Sequence, residues 1–281
     1  MPTFTIDGVD LQSALAIRVT SDSVFHTVSG VRSSAVSLPG MHGSLTVQTE
    51  EFYEAGHLVL QCWMDGQGNP TTHEQKLDAF LTLLQGPLDV RKTMSDGTIR
   101  QALCYLRASV DPEHRPGAWT KLAIPLEMPG AFWRDVSAST FSQTQPVNGT
   151  TYAMSNLAGD TAPITDAVIL WTGPITNPQA TDPVSGSSIT WQGTVAAGAQ
   201  VRVQAGTMTA VSGTGIGLAG AGADASGALV PSGPGSAFRL IEFMPLMVGG
   251  DPTNRSVSIK VNGSGITSAT NVQVSARRAF I

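Results

Sequence analysis

Few residues in this chain stand in a pattern that could do chemistry. Gly215-Ile-Gly217-Leu-Ala-Gly220 has the spacing of a dinucleotide fingerprint, in which glycines let backbone amides approach a pyrophosphate. That chemistry needs a helix opening directly behind the glycines, and Ala221 to Gly235 is too rich in Gly, Ala and Ser to supply one. The histidines His26, His42, His57, His73 and His114 are scattered singly, and neither Cys62 nor Cys104 stands at a ligand spacing from a histidine or from its fellow. No metal site and no cofactor are therefore expected. Asp111, Glu113 and His114 lie together in DPEHRPG, where a carboxylate beside an imidazole could move protons, but the flanking prolines fit a solvated hairpin tip better. Ser34 and Ser142 lack a nucleophile-elbow context, and Glu50-Glu51 reads as a solvated strand end rather than an acid pair. Trp171 and Trp191 could form a glycan-stacking platform. Each lies on an apolar strand, which favours core packing.

The elements that would position such residues are mostly strands. One segment, THEQKLDAFLTLLQGP (Thr72 to Pro87), predicts a helix over 73–85. Thr72 and Gln75 have capping-box spacing, Leu77, Phe80, Leu81 and Leu84 fall on one stripe, and Gly86-Pro87 supplies a stop. That stripe is the expected docking face on a sheet. Strands are expected at Thr3 to Ile6, Ala14 to Thr20, around Leu45, Val47 and Thr49, and at Leu88 to Met94, Thr98 to Ser109 and Ala118 to Met128. His57 to Met64 is apolar enough to suggest burial on both faces. Asp7-Gly8, Pro39-Gly40, His42-Gly43 and Ser95-Asp96-Gly97 mark turns. Ala131 to Thr151 reads as transition. Beyond it come short strands at sandwich or barrel spacing, among them Ala167 to Trp171, Ser188 to Trp191, Met208 to Val211 and Phe238 to Phe243. A long Gly/Ala-rich loop is expected at about 205–235. The reading is mainly β: an N-terminal β domain (1–138) with one inserted helix, then a β-sandwich (139–281).

Composition narrows the function classes. Charged residues make up 13% of 281 residues, about half the usual share, while the hydrophobic fraction of 41% is globular. Low charge with ordinary hydrophobicity suits a surface covered by neighbours. The net charge of −5 argues against nucleic acid, and all of it falls in residues 1–140. No apolar run is long enough to span a membrane, and the N-terminus MPTFTIDGVD lacks the pattern of a signal peptide, so synthesis in a cytoplasm without membrane insertion is expected. Cys62 and Cys104 are then expected as buried free thiols, with a disulfide as the alternative. Asn148-Gly and Asn262-Gly read as turn chemistry. Nothing specifies an enzyme.

Several passages resemble the distal tail proteins of long-tailed bacteriophages. The opening FTIDGVDL is similar to that family's start. The order of strands, helix, hairpin and a strand ending in EMPGAFWRDV resembles its N-terminal ring-forming domain. NLAGDTAPI followed by AVILWTGPITNPQ resembles the entry to its C-terminal galectin-like sandwich, and SVSIKVNGSGITSATNVQVSARRAFI resembles the last strands. The resemblance implies a non-enzymatic virion component, a hexameric ring at the tail tip joining the tail tube protein to the tail hub proteins. Its sandwich leaves host surface glycans as a further partner. The Gly/Ala-rich stretch and the lack of a compact receptor-binding motif depart from the family pattern.

Overall fold

The computed structural model describes residues 2–25, 31–32, 35–36, 45–46, 52–233 and 241–281. His26, Ser34, His42, the turns at Pro39-Gly40 and His42-Gly43, Val47, Thr49, Glu50-Glu51 and the start of the expected Phe238 to Phe243 strand lie outside the described residues. The chain divides into two compact units, Met1–Val136 with Ile281, and Ser137–Phe280.

The first unit is an antiparallel sheet closed on one side by helices. Its N-terminal strands are Thr3–Ile6 (β1), Val9–Asp10 (β2) and Ile17–Val19 (β3), with α1 at Leu11–Leu15. Two small ladders follow, Val31–Arg32 (β4) with Phe52–Tyr53 (β7), and Ala35–Val36 (β5) with Leu45–Thr46 (β6). Then come Gly56–Asp65 (β8), α2 at Pro70–Leu83, Leu88–Thr93 (β9), Ile99–Leu106 (β10), Glu113–Arg115 (β11), Trp119–Met128 (β12) and Trp133–Asp135 (β13). The sheet order is β2-β1-β9-β10-β12-β8-β3, with β11 added to β12 and β13 to β10. Inward side chains alternate along β1, β8, β9 and β12, so Phe4, Ile6, Leu58, Leu60, Met64, Leu88, Val90, Leu122, Ile124 and Leu126 form one buried layer.

Four local expectations are corrected here. The helix starts two residues before Thr72: Asn69 is extended, and its side-chain oxygen accepts from the Thr72 amide at 3.2 Å. Pro70 fits the first helical position because it has no N–H to satisfy. Thr72 and Gln75 are exposed inside the helix, and no capping box forms. The second correction concerns 14–20, where only Ile17–Val19 is strand. Asp10 accepts from the Ser13 amide at 2.7 Å and starts a helical turn that ends at Ala16 with φ 56°. Third, β8 is not buried on both faces: Leu58, Leu60, Cys62 and Met64 are buried, while Val59, Gln61 and Trp63 on the other side are half-covered. Last, 205–235 is not one loop. Thr209–Thr214 pairs along its full length with Ala199–Gln204, and Ala210 is buried in the core.

The second unit is a two-sheet sandwich. It opens with Ser139–Thr144 (β14) and Thr150–Ala153 (β15), inside the stretch expected to be transition. Val168–Thr172 (β16), Ile175–Thr181 (β17), Ser188–Trp191 (β18), Thr194–Val195 (β19), Ala199–Gln204 (β20), Thr209–Thr214 (β21), Ala223–Asp224 (β22) and Leu229–Ser232 (β23) follow. The last are Leu246–Val248 (β24), Asp251–Ser256 (β25), Ser258–Ser264 (β26), Asn271–Ala276 (β27) and Ala279–Phe280 (β28). One sheet runs β14-β27-β16-β20-β21-β22, and the other runs β15-β26-β17-β18-β23 with β19 on β17. Ile169, Trp171, Val201, Val203, Val272 and Val274 of the first meet Ile175, Ala180, Ile189, Ile259 and Val261 of the second in a single core. Among the described residues β24 and β25 pair only with each other, and Leu246, Met247 and Val248 are exposed.

Candidate functional site

In the first unit the inner face of the sheet is covered, and the outer face is the candidate site. Along β10, Ala102 and Cys104 point inward, which leaves Ile99, Leu103 and Tyr105 outward, 43%, 56% and 43% exposed. In register across β9 these face Thr93 (from Ile99) and Asp89 (from Leu103), and Asp89 is bridged to Arg91 at 2.7 Å. Tyr105 sits opposite Glu127 on β12, and Lys121, an even number of residues away, points to the same side. There the Trp63 and Trp119 rings stack at 5.1 Å and 24°, with the Lys121 ammonium 5.3 and 5.0 Å from the two centroids and the Arg115 guanidinium 5.0 Å from Trp119. The two tryptophans lie 56 positions apart, and only the β8–β12 register, which sets Trp63 opposite Lys121, makes them neighbours. That separation hides the pair from sequence reading.

Two of the five histidines are brought together at the start of α2. His73 is buried and stands over His114 of β11 with ring centroids 4.8 Å apart. The Gly117 amide donates to His73 Nδ1 at 3.2 Å, so that nitrogen is the acceptor and Nε2 carries the proton. His73 Nε2–H then donates to Thr120 Oγ1 at 2.9 Å, and the Thr120 hydroxyl donates to His114 Nδ1 at 2.6 Å. Burial holds His73 below the ordinary histidine value near 6.5, helped by the neighbouring His114. Gly117 is needed twice over, for its φ of +71° and because a Cβ there would meet Pro70 at 3.0 Å. Asp111 and Glu113 remain exposed, and His57 stands elsewhere with Nδ1 3.3 Å from the Arg107 guanidinium.

The remaining candidates are structural in their surroundings. Trp171 is 0% exposed, offers no ring face to a sugar, and leaves its indole N–H without a hydrogen-bond partner. Trp191 is half-buried and donates to the Ala225 carbonyl at 3.3 Å. Of the helix stripe, Leu77, Phe80 and Leu84 are buried and Leu81 is half-buried, while His73 joins the buried face. Cys62 and Cys104 are free and buried, and desolvation pushes each thiol up to about 12. The glycines of 215–220 are tied down by Gln200, which accepts from the Gly217 amide, and by Arg202, which donates to the Gly220 carbonyl. Behind them comes the short strand β22, not a helix. Among the described residues no group of three His, Cys, Asp or Glu could hold a metal. A depression of about 160 Å³ beside α1 and β3 is smaller than the roughly 300 Å³ at which small-molecule clefts begin.

No protein-family model matches the sequence, and no curated relative matches it. Solved structures do. The crystal structure of the SPP1 Dit protein, described as a paradigm of the hub adsorption apparatus of phages infecting Gram-positive hosts, has a TM-score of 0.62 at 15% identity, covering 100% of both chains. A chain of the phage p2 baseplate in its activated conformation with strontium has a TM-score of 0.42 at 10% identity, covering 99% of this chain and 98% of its own. Over its whole length, then, this mainly β chain has the fold of a phage Dit hub protein.

Proposed function

We propose that this protein is a structural component of a phage tail tip, in which six copies close into a ring that joins the tail tube to the tail-tip proteins, and that it catalyses no reaction. The observation that carries this reading is the correspondence of fold with a hub protein across both units, which is an argument from analogy at the level of the fold. Physical chemistry supports it independently. An apolar stripe such as Ile99, Leu103 and Tyr105 on a sheet face marks a contact surface, and head-to-tail contacts that close into a ring would cover it on every copy. A low-charge chain fits the same picture. The tryptophans give no support to a glycan-holding role, since Trp171 is sealed in the core.

Antibodies against the purified chain test the placement. Label at the distal end of virion tails in electron micrographs is expected, and label on the capsid, or none on intact virions, would contradict it.

A further inference from the structure

His73 at the start of α2 and His114 of β11 form, through Thr120, a relay whose hydrogen bonds all depend on the protonation of the two rings. We propose that His73, Thr120 and His114 are a pH-sensitive latch, which fastens the β11–β12 hairpin to the first turn of α2 at neutral pH and releases it in mild acid.

The chain of donors runs in one direction: Gly117 N–H to His73 Nδ1, His73 Nε2–H to Thr120 Oγ1, and Thr120 O–H to His114 Nδ1. Adding a proton to His73 Nδ1 sets an N–H against the Gly117 N–H, two donors with no acceptor between them. A proton added to His114 Nδ1 likewise opposes the Thr120 hydroxyl. Thr120 is 0% exposed and His114 Nε2 is buried without a partner, so no solvent stands by to absorb either change. The two rings, 4.8 Å apart, would also repel once both were charged.

The charges around the latch do not cancel this. On α2, Glu74 favours the charged form of His73 and Lys76 opposes it, and Asp65 at the end of β8 favours it, but burial and His114 outweigh them. Glu113 and Arg115 of β11 and Lys121 of β12 are exposed on the outer side of the hairpin. α1, LQSAL, has no titratable side chain. The sign is that of a group with a depressed pKa in the folded state: stability is kept above the ordinary histidine value and lost as pH falls through it. What is released is a defined joint. The Gly66 and Gly68 amides also donate to the Ala118 and Gly117 carbonyls, at 2.9 and 3.0 Å, so the loop before α2 is fastened to the same hairpin.

Hydrogen exchange of the full chain, corrected for the intrinsic pH dependence of exchange, reads the latch directly. Between about pH 7.5 and pH 5 the protection of the segment containing Gly117 should fall about tenfold or more. His73→Asn keeps an oxygen acceptor near the place of Nδ1 and removes the titration at that ring, leaving only that of His114, so the fall in protection over the same range should be clearly smaller than in the wild type. Should that variant not fold, Thr120→Ser must keep the wild-type fall and Thr120→Val must lose protection already at neutral pH. Nitrogen-15 spectra of labelled histidine in the wild-type chain should give the Nε2–H tautomer for both rings. Unchanged wild-type protection in acid, an Nδ1–H tautomer at His73, or an equal fall in His73→Asn would each overturn the proposal.

Discussion

At the scale of single residues, the groups that break the usual rules of burial are the most informative. Trp171 gives up the hydrogen bond of its indole N–H to fill the sandwich core. Trp171→Phe should therefore change stability by no more than about 1 kcal/mol, the shed polar group offsetting lost area, whereas Trp171→Ala should cost about 3–5 kcal/mol. Denaturant titration of the second unit's unfolding checks both. Lys92 is the other case. Its ammonium is buried 4.4 Å from the Trp133 ring and 5.5 Å from Phe25, and burial, with Arg100 nearby, lowers its pKa to about 8. The folded value lies below the unfolded one, so the cost of the charge is full below pH 8 and is relieved as pH rises toward 10.5. Lys92→Met should stabilise the chain at neutral pH by roughly 1–2 kcal/mol and flatten the rise in stability above pH 8. Melting curves across that range test it. Burial of Trp171 is legible from its apolar strand. Lys92 is legible only in hindsight, through the alternation Leu88, Val90, Lys92, because a lysine at a strand end ordinarily reads as solvated.

At the scale of elements, periodicity located α2 and the long strands such as β8, β9, β10 and β12, while α1, β14, β15, the caps and the registers needed coordinates. The stripe Leu77, Phe80, Leu84 was visible from its spacing. That His73 continues it was not, because a polar residue counts against an apolar face until its partners, Gly117 and Thr120, are known from distant sequence. Asn69 and Thr72 both have cap chemistry, and Pro70 decides between them by fixing the first helical position. Asn69→Ala should cost about 1 kcal/mol, and Thr72→Ala, exposed inside the first turn, should stay within about 0.5 kcal/mol. Equal effects in thermal unfolding would restore Thr72 as the cap. The Gly/Ala-rich stretch misled for a related reason. Small residues suggest flexibility, yet β21 is paired on both sides, by β20 and β22, and Cβ atoms added at Gly213 and Gly222 would meet Ile216 and the Ser212 carbonyl at 2.8 Å.

For the whole molecule, composition pointed to a surface hidden by neighbours, and the sheet offers a place where that can happen. Leu103 and Tyr105 lie in no core of their own and face Asp89 and Glu127 across the ladder, so Leu103→Lys and Tyr105→Lys should leave unfolding of each unit within about 0.5 kcal/mol while weakening association of copies. Loss of folding in either variant would move these residues from a contact surface to a structural one. The Trp63–Trp119 pair escaped the sequence because contact depended on register between strands 56 positions apart. The assembly itself is tested most directly by sedimentation of the purified chain at micromolar concentration. A single closed species of six copies is expected, and a monomer that persists at high concentration would contradict the account.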